Sequence, residues 1–210
     1  MESLLHFFNV CPPDIGAKLH RRHFSPGEAI LTPGFRGEQI YILISGQAKL
    51  VAQRENGNAV ILSLYNHWEI LGELEAFTDG VCDRFIVALL PCDVYMLDKE
   101  SFFEWLRLDF DFNRYILARL SYKLQRLSAT SQVSMGGFLR EQVAHILLMN
   151  LTDQQYFPYS KQVLAECMGT SVRSLNRILA KMIESGVISV SGSRIFIKNI
   201  QMLHAYIEEG

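Results

Sequence analysis

Arg173, Arg177 and Lys181 recur at intervals of four, so on an α-helix they share one face. Leu175, Ile178, Leu179 and Met182 fall at i, i+3, i+4 and i+7 and mark the opposite, apolar face of that helix. A guanidinium can grip guanine O6 and N7 with two hydrogen bonds, while hydroxyl and amide side chains meet phosphates or base edges. Ser171 is the type of residue that caps a helix N-terminus, where backbone N–H groups can hold a phosphate. The chemistry implied is binding to double-stranded DNA, with Arg173 and Arg177 as base readers. Ser171, Ser174, Asn176, Lys181, Arg194 and Lys198 are the expected phosphate contacts. A basic helix face alone is also an ordinary solvated surface, so the surrounding elements carry the weight.

Those elements are legible in the last third. Leu139, Val143, Ile146 and Leu147 lie on one helix face, and the pattern breaks near Asn150–Pro158. Ser160 then caps a helix containing Val163, Leu164 and Ala165, which stops at Gly169. Ser171 caps the basic helix, and Gly186 ends it. Two β-prone runs, Val187–Val190 and Ile195–Ile197, flank a hairpin tip, Ser191-Gly192-Ser193-Arg194. Two short helices joined through a glycine turn and followed by a hairpin make a winged helix-turn-helix.

The front half reads differently. Ile40–Ile44, Ala48–Gln53, Val60–Leu64, Phe85–Leu90 and Val94–Leu97 are short strand-like runs, and Asn56-Gly57-Asn58 is a hairpin signal. Such spacing predicts an all-β, antiparallel sandwich or roll. Next come a short helix over Lys99–Leu106 and a longer one opened by Asp109 or Asp111 and running to about Val133. Leu117, Leu120, Leu124 and Leu127 form a two-heptad seam on the long helix, while Phe112, Tyr115 and Ile116 form a second stripe able to pack on the β-half. Two apolar faces imply a partner, here a second copy of the chain, the alternative being a helix sandwiched between two domains of one chain. Ser128, Thr130, Ser131, Ser134 and Gly136-Gly137 predict a hinge. The expected architecture is α+β: a β-roll over 1–108, a dimerisation helix and hinge over 109–134, and a winged helix-turn-helix over 135–210.

Composition agrees with a cored domain pair. The 210 residues are 49% hydrophobic and 20% charged, which excludes a disordered chain. No run of apolar residues is long enough for a membrane span, and no basic segment precedes the apolar N-terminus, so a cytoplasmic protein with no membrane partner is expected. Residues 1–110 hold 9 Lys+Arg against 15 Asp+Glu, a balance of −6, whereas residues 111–200 hold 11 against 5, a balance of +6. An acidic front and a basic rear fit a regulatory half joined to a polyanion-binding half.

The chain resembles the Crp/Fnr superfamily of bacterial transcription regulators over nearly its full length, and within it the YeiL-like branch. Phe24-x-Pro26-Gly27-Glu28, Ile40 to Lys49, Leu71-Gly72-Glu73-Leu74 and Gly169-x-Ser171-x-x-Ser174-x-x-Arg177 carry the match by their order and spacing. The resemblance implies a cyclic-nucleotide-binding-like jelly roll, a dimerising helix, a palindromic DNA site and RNA polymerase as a further partner. It also implies an effector pocket built from Gly72, Glu73, Leu74, Arg84, Leu127 and Ser128.

Departures from that pattern argue against cyclic AMP. The family's cyclic-AMP receptors carry Arg-Ser where this chain holds Asp83 and Arg84, and a Thr-Ser pair where it holds Leu127-Ser128. Asp83 repels a phosphate, and Arg84 comes one residue late, which on a strand turns the side chain to the other face. In the Crp and Fnr branches the position matching Arg173 carries Glu, while Arg177 matches a guanine-reading Arg. The alternatives are a cyclic-nucleotide gate through Glu73 and Arg84, and an interaction module that no longer binds DNA.

Other chemistries find little support. Cys11, Cys82, Cys92 and Cys167 lack the spacing of a zinc or iron–sulfur site. A haem ligand at His67, Cys82 or Cys92, a Cys82–Cys92 redox pair and a metal at His20 and His23 near Cys11 rest on isolated residues. No nucleotide-binding or hydrolase motif is present, and Glu73 and Glu75, expected on a loop or strand, lack an acid–base partner. No catalytic residue, metal or cofactor is expected, and the effector is unknown.

Overall fold

The computed structural model describes residues 4–53, 59–78, 80–136, 139–192 and 194–208, the side chains of 126–136 and 208 excepted. In chain order the first elements are α1 (Leu4–Asn9), α2 (Pro13–Gly16), β1 (His20–Phe24), β2 (Ala29–Leu31), β3 (Gln39–Ser45), β4 (Gln47–Gln53), β5 (Ala59–Asn66) and β6 (Glu69–Leu71). There follow α3 (Glu73–Thr78), β7 (Phe85–Ala88), β8 (Cys92–Asp98), α4 (Lys99–Leu108), α5 (Phe110–Gly136) and α6 (Leu139–Met149). The last are β9 (Tyr156–Phe157), α7 (Lys161–Cys167), α8 (Val172–Glu184), β10 (Ile188–Ser191), β11 (Arg194–Ile197) and α9 (Ile200–Glu208). The chain divides into two compact units, one of residues up to 121 without the run 58–61, the other of that run and residues from 122 onward.

The first unit is a β-roll of two four-stranded sheets, ordered β1-β8-β3-β6 and β2-β7-β4-β5. Pairing is antiparallel between β1, β3 or β6 and their neighbours, and between β7 and both β2 and β4. Strand β3 explains why its sequence is apolar without a break: successive side chains point to opposite faces, and both faces are covered. Tyr41 and Leu43 point into the roll with Phe24, Ile30, Ile86 and Val94. Ile40 and Ile42 point outward into a cluster closed by Leu4 and Phe7 of α1, Ile15 of α2, Trp105 of α4 and Phe112, Tyr115 and Ile116 of α5. The stripe expected to pack on the β-half therefore does so. Trp105 stacks on Phe112 at 4.0 Å and 18°. Arg119 of α5 adds an ion pair to Glu69 of β6. Gly46, between β3 and β4, has φ +93°, and a side chain there would strike the Pro91 carbonyl.

Several local expectations need correction. The β-half is not all-β: Glu73 and Glu75 lie on α3, in its first turn, not on a loop or strand. The strand expected over Phe85–Leu90 stops at Ala88. The sequence patterns mark neither strands β1, β2, β6 and β9 nor helices α1, α2, α3 and α9. Residues 20–23 of β1 are all exposed, so no alternation marks the strand, and cations suit an edge that must not pair with another chain. The long helix, expected to end near Val133, continues to Gly136. Asn56-Gly57-Asn58, Gly137 and Ser193 lie outside the described residues, as do the side chains of Leu127, Ser128, Thr130, Ser131 and Ser134.

Helix α4 offers a local test. The Asp98 carboxylate accepts a hydrogen bond from Ser101 N at 2.8 Å, which holds its pKa below the usual carboxylate value. Loss of that cap in Asp98→Ala is expected to cost about 1 kcal/mol. Because the folded carboxyl binds its proton less readily than the unfolded one, its contribution is full above pH ~4 and falls away as pH drops through the lower folded value. Asp98→Asn should keep the cap and lose that acid sensitivity, as urea unfolding at neutral and acidic pH would record.

Candidate nucleic-acid interface

The second unit assembles the recognition element from local signals. Ser160 Oγ accepts from Val163 N at 3.2 Å and starts α7. Gly169 turns the chain with φ +61°, and Thr170 N bonds back to Ala165 O. Ser171 Oγ then accepts from Ser174 N at 3.1 Å and starts α8. Leu175, Leu179 and Met182 are buried at 0–2% exposure, and Ile178 beside them is partly buried. Helix α8 packs by this face on α7 and β10.

Burial of that face leaves Arg173, Asn176, Arg177 and Lys181 exposed along the other. Among the described residues, no acidic side chain pairs with Arg173, Arg177 or Lys181. Their donors therefore face water, ready for a polyanion. Ser171 Oγ also donates to Ser174 Oγ at 3.1 Å. That leaves the Ser174 hydroxyl proton free to donate outward, beside the unfilled N–H groups of the first turn.

The wing is a three-stranded sheet, β10-β11-β9, whose Ile188, Ile195, Ile197 and Phe157 are buried. Ser191 and Arg194 face each other where β10 turns into β11. Arg194 is exposed, with Cζ 5.0 Å from the centre of the Tyr156 ring. Lys198 is exposed just beyond β11 and its backbone N–H bonds to Val187 O. Tyr156 escaped the sequence reading because a two-residue strand leaves no periodicity. Leu139 is a correction: it is 44% exposed, and the buried side of α6 is built by Val143, Ala144 and Leu147 with Glu141 and His145.

Of the sensor positions, Gly72, Glu73, Leu74 and Arg84 lie in the first unit, whereas Leu127 and Ser128 fall in the second. Gly72 has φ +87° and packs beside Phe35 and the Gln39 carbonyl. Glu73 is buried, whereas Leu74 is 57% exposed. Asp83 and Arg84 sit in the loop ahead of β7, not on a strand. Strand alternation therefore does not set the direction of Arg84, which instead pairs through Nε with Asp83 Oδ1 at 3.2 Å. The structure brings Gly72, Glu73 and Leu74 together at the head of α3; the side chains of Leu127 and Ser128 are outside the described set.

Cys82 and Cys92 are buried free thiols, bonded to the Arg84 carbonyl and to the Gln47 and Leu90 carbonyls. Burial raises both pKa values, and burial together with the Asp109 charge pushes Cys11 up to about 11. Thiols held protonated in this way are poor nucleophiles. His23 pairs with Asp93, whose carboxyl is held low by hydrogen bonds from His23 and Arg21. Among the described residues no group of three His, Cys, Asp or Glu side chains could hold a metal, and no helix is long and apolar enough to cross a membrane.

Comparison with known proteins agrees with this layout. Residues 21–109 match the cyclic nucleotide-binding domain family, and residues 141–206 match the Crp-like helix-turn-helix domain family. The chain is 24% identical over 189 residues to the cAMP-activated global transcriptional regulator CRP of Pasteurella multocida, covering 85% of this chain and 90% of that protein. Its fold is similar to FixK2 from Bradyrhizobium japonicum, with a TM-score of 0.76 at 18% identity over 90% and 96% of the two chains. It is also similar to a CooA variant from Carboxydothermus hydrogenoformans, with a TM-score of 0.82 at 14% identity over 98% and 96%. A cyclic nucleotide-binding domain followed by a Crp-like helix-turn-helix is the order in which the two families match, and this chain belongs to the Crp/Fnr superfamily of DNA-binding transcription regulators.

Proposed function

We propose that this regulator acts as a cytoplasmic homodimer that reads a two-fold repeated duplex site through α8, without gating by cyclic AMP. The observation that carries the reading is α8 itself, with Leu175, Leu179 and Met182 buried on one face and, on its solvent face, three cations that have no acidic partner among the described residues. Arg173 and Arg177 are the base readers. Ser171, Ser174, Asn176, Lys181, Arg194 and Lys198 contact the backbone. Two half-sites about one helical turn apart would match the two copies of α8. The working division is a sensor over 1–108, a dimerisation helix and hinge over 109–134 and a DNA-binding domain over 135–210. RNA polymerase is the further protein partner, and the chain itself has no catalytic role and no resident cofactor. Duplex binding measured against salt tests this directly, since each neutralised phosphate contributes about −0.9 to the slope of log affinity on log salt. A flat salt dependence would reject it.

Independence from cyclic AMP rests on Asp83 and Arg84. Asp83 takes the sequence position of the family's phosphate-binding Arg, so its charge would repel a phosphate, and its carboxylate engages the Arg84 guanidinium. Calorimetry with cyclic AMP at micromolar concentration should show no binding, and DNA affinity should not change. Saturable binding abolished by Arg84→Ala would favour the cyclic-nucleotide gate, a reading supported by the buried Glu73.

A further inference from the structure

Strand β11 has two unlike faces. Ile195 and Ile197 are buried in the second unit, so Arg194 and Phe196 point to the other side of the sheet. Tyr156 of β9 lies directly opposite Phe196, with ring centres 5.9 Å apart. The guanidinium of Arg194 lies over the Tyr156 ring at 5.0 Å. The outer face of the wing is therefore an aromatic pair with a cation resting on it.

We propose that Tyr156 is a positioning residue for DNA binding, holding Arg194 on the outer face of the wing where it meets a backbone phosphate. A stacked guanidinium offers its π face to the ring and keeps its N–H donors at its edge, where they fit phosphate oxygens two at a time. An exposed arginine must otherwise give up side-chain freedom on binding, and a ring that has already fixed it removes part of that cost. Among the described residues Arg194 has no acidic partner, so its charge is available. Its neighbour Phe196 braces the Tyr156 ring from beside it.

This inference rests on the DNA-binding reading and is tested on the full-length protein. The probe is the duplex recovered by selection from random sequence, and affinity is measured across a salt series. Tyr156→Phe keeps the ring face and should bind like the parent. Tyr156→Leu should weaken binding about two- to fivefold, the range of an exposed cation–π contact, with the salt slope unchanged because the charge remains. Arg194→Ala should weaken binding and also lower the slope by about one per half-site. Adding Tyr156→Leu to Arg194→Ala should change nothing further. Tyr156→Met, which keeps bulk and removes the π face, should behave as Tyr156→Leu and guards against collapse of the wing. An unchanged affinity in Tyr156→Leu and Tyr156→Met, or a loss that persists in the Arg194→Ala background, would overturn the proposal. Failure of the parent protein to bind any duplex in a salt-dependent way would instead sink the DNA-binding reading.

Discussion

A Leu117→Asp/Leu124→Asp variant is expected to sediment as a folded monomer with little affinity for its DNA site. The two leucines are one heptad apart on α5 and are 56% and 69% exposed in a single protomer, so neither is needed by the protomer's own core. In a two-chain seam, however, each would be buried twice. Placing four unpaired carboxylates in an apolar interface costs several kcal/mol, enough to separate the subunits. Each monomer would then bind one half-site alone and lose the gain from linked sites, roughly a hundredfold or more. Leu120 is a poorer choice than the seam pattern suggests, because it already packs against the cluster of Trp105 and Phe112. Leu120→Asp should therefore lower protomer stability as well as splitting the dimer. Sedimentation that still shows a dimer in the Leu117/Leu124 variant, with helix content intact, would reject this face of α5 as the interface.

Arg177→Ala is expected to cost about 1–3 kcal/mol of binding to the best site and to relax preference at one base position. Its guanidinium is exposed and, among the described residues, unpaired on the middle turn of α8, so its removal leaves the apolar face and the fold untouched. Lys181→Ala should act differently, weakening all duplexes alike and lowering the salt slope by about one per half-site. Arg173 predicts an altered site. It is a donor only and cannot accept the cytosine amine hydrogen that the family's Glu takes, so guanine or a phosphate is its partner. Selection from random sequence should thus return a two-fold repeat that departs from the TGTGA and TTGAT half-sites where the Glu would act. Recovery of either half-site unaltered would show that Arg173 does not read a base.

Features that depend on neighbours close along the chain can be read from residue order alone. Helix α8 was legible because its cap, its four apolar positions and its terminal glycine all lie within sixteen residues, Ser171 to Gly186. The same holds for α7, for the start of α4 at Lys99 and for the central strand β3, whose apolar run needs only burial on both faces. The remaining features arise from contacts between distant parts of the chain. Strands β1, β6 and β9 are short or polar and owe their existence to partners far away in sequence, such as Tyr156 opposite Phe196 or His20 opposite Met96. Arg84 changed meaning for a similar reason: a register argument holds only on a strand, and where β7 begins is set by its pairing with β4. Leu139 carries a core residue's side chain yet faces solvent, while Glu141 and His145 on the same helix are buried, because packing of α6 on α7 and α9 chose the face. Periodicity reports which residues share a face; only the elements packed against it decide whether that face is a core, a seam or a surface for DNA.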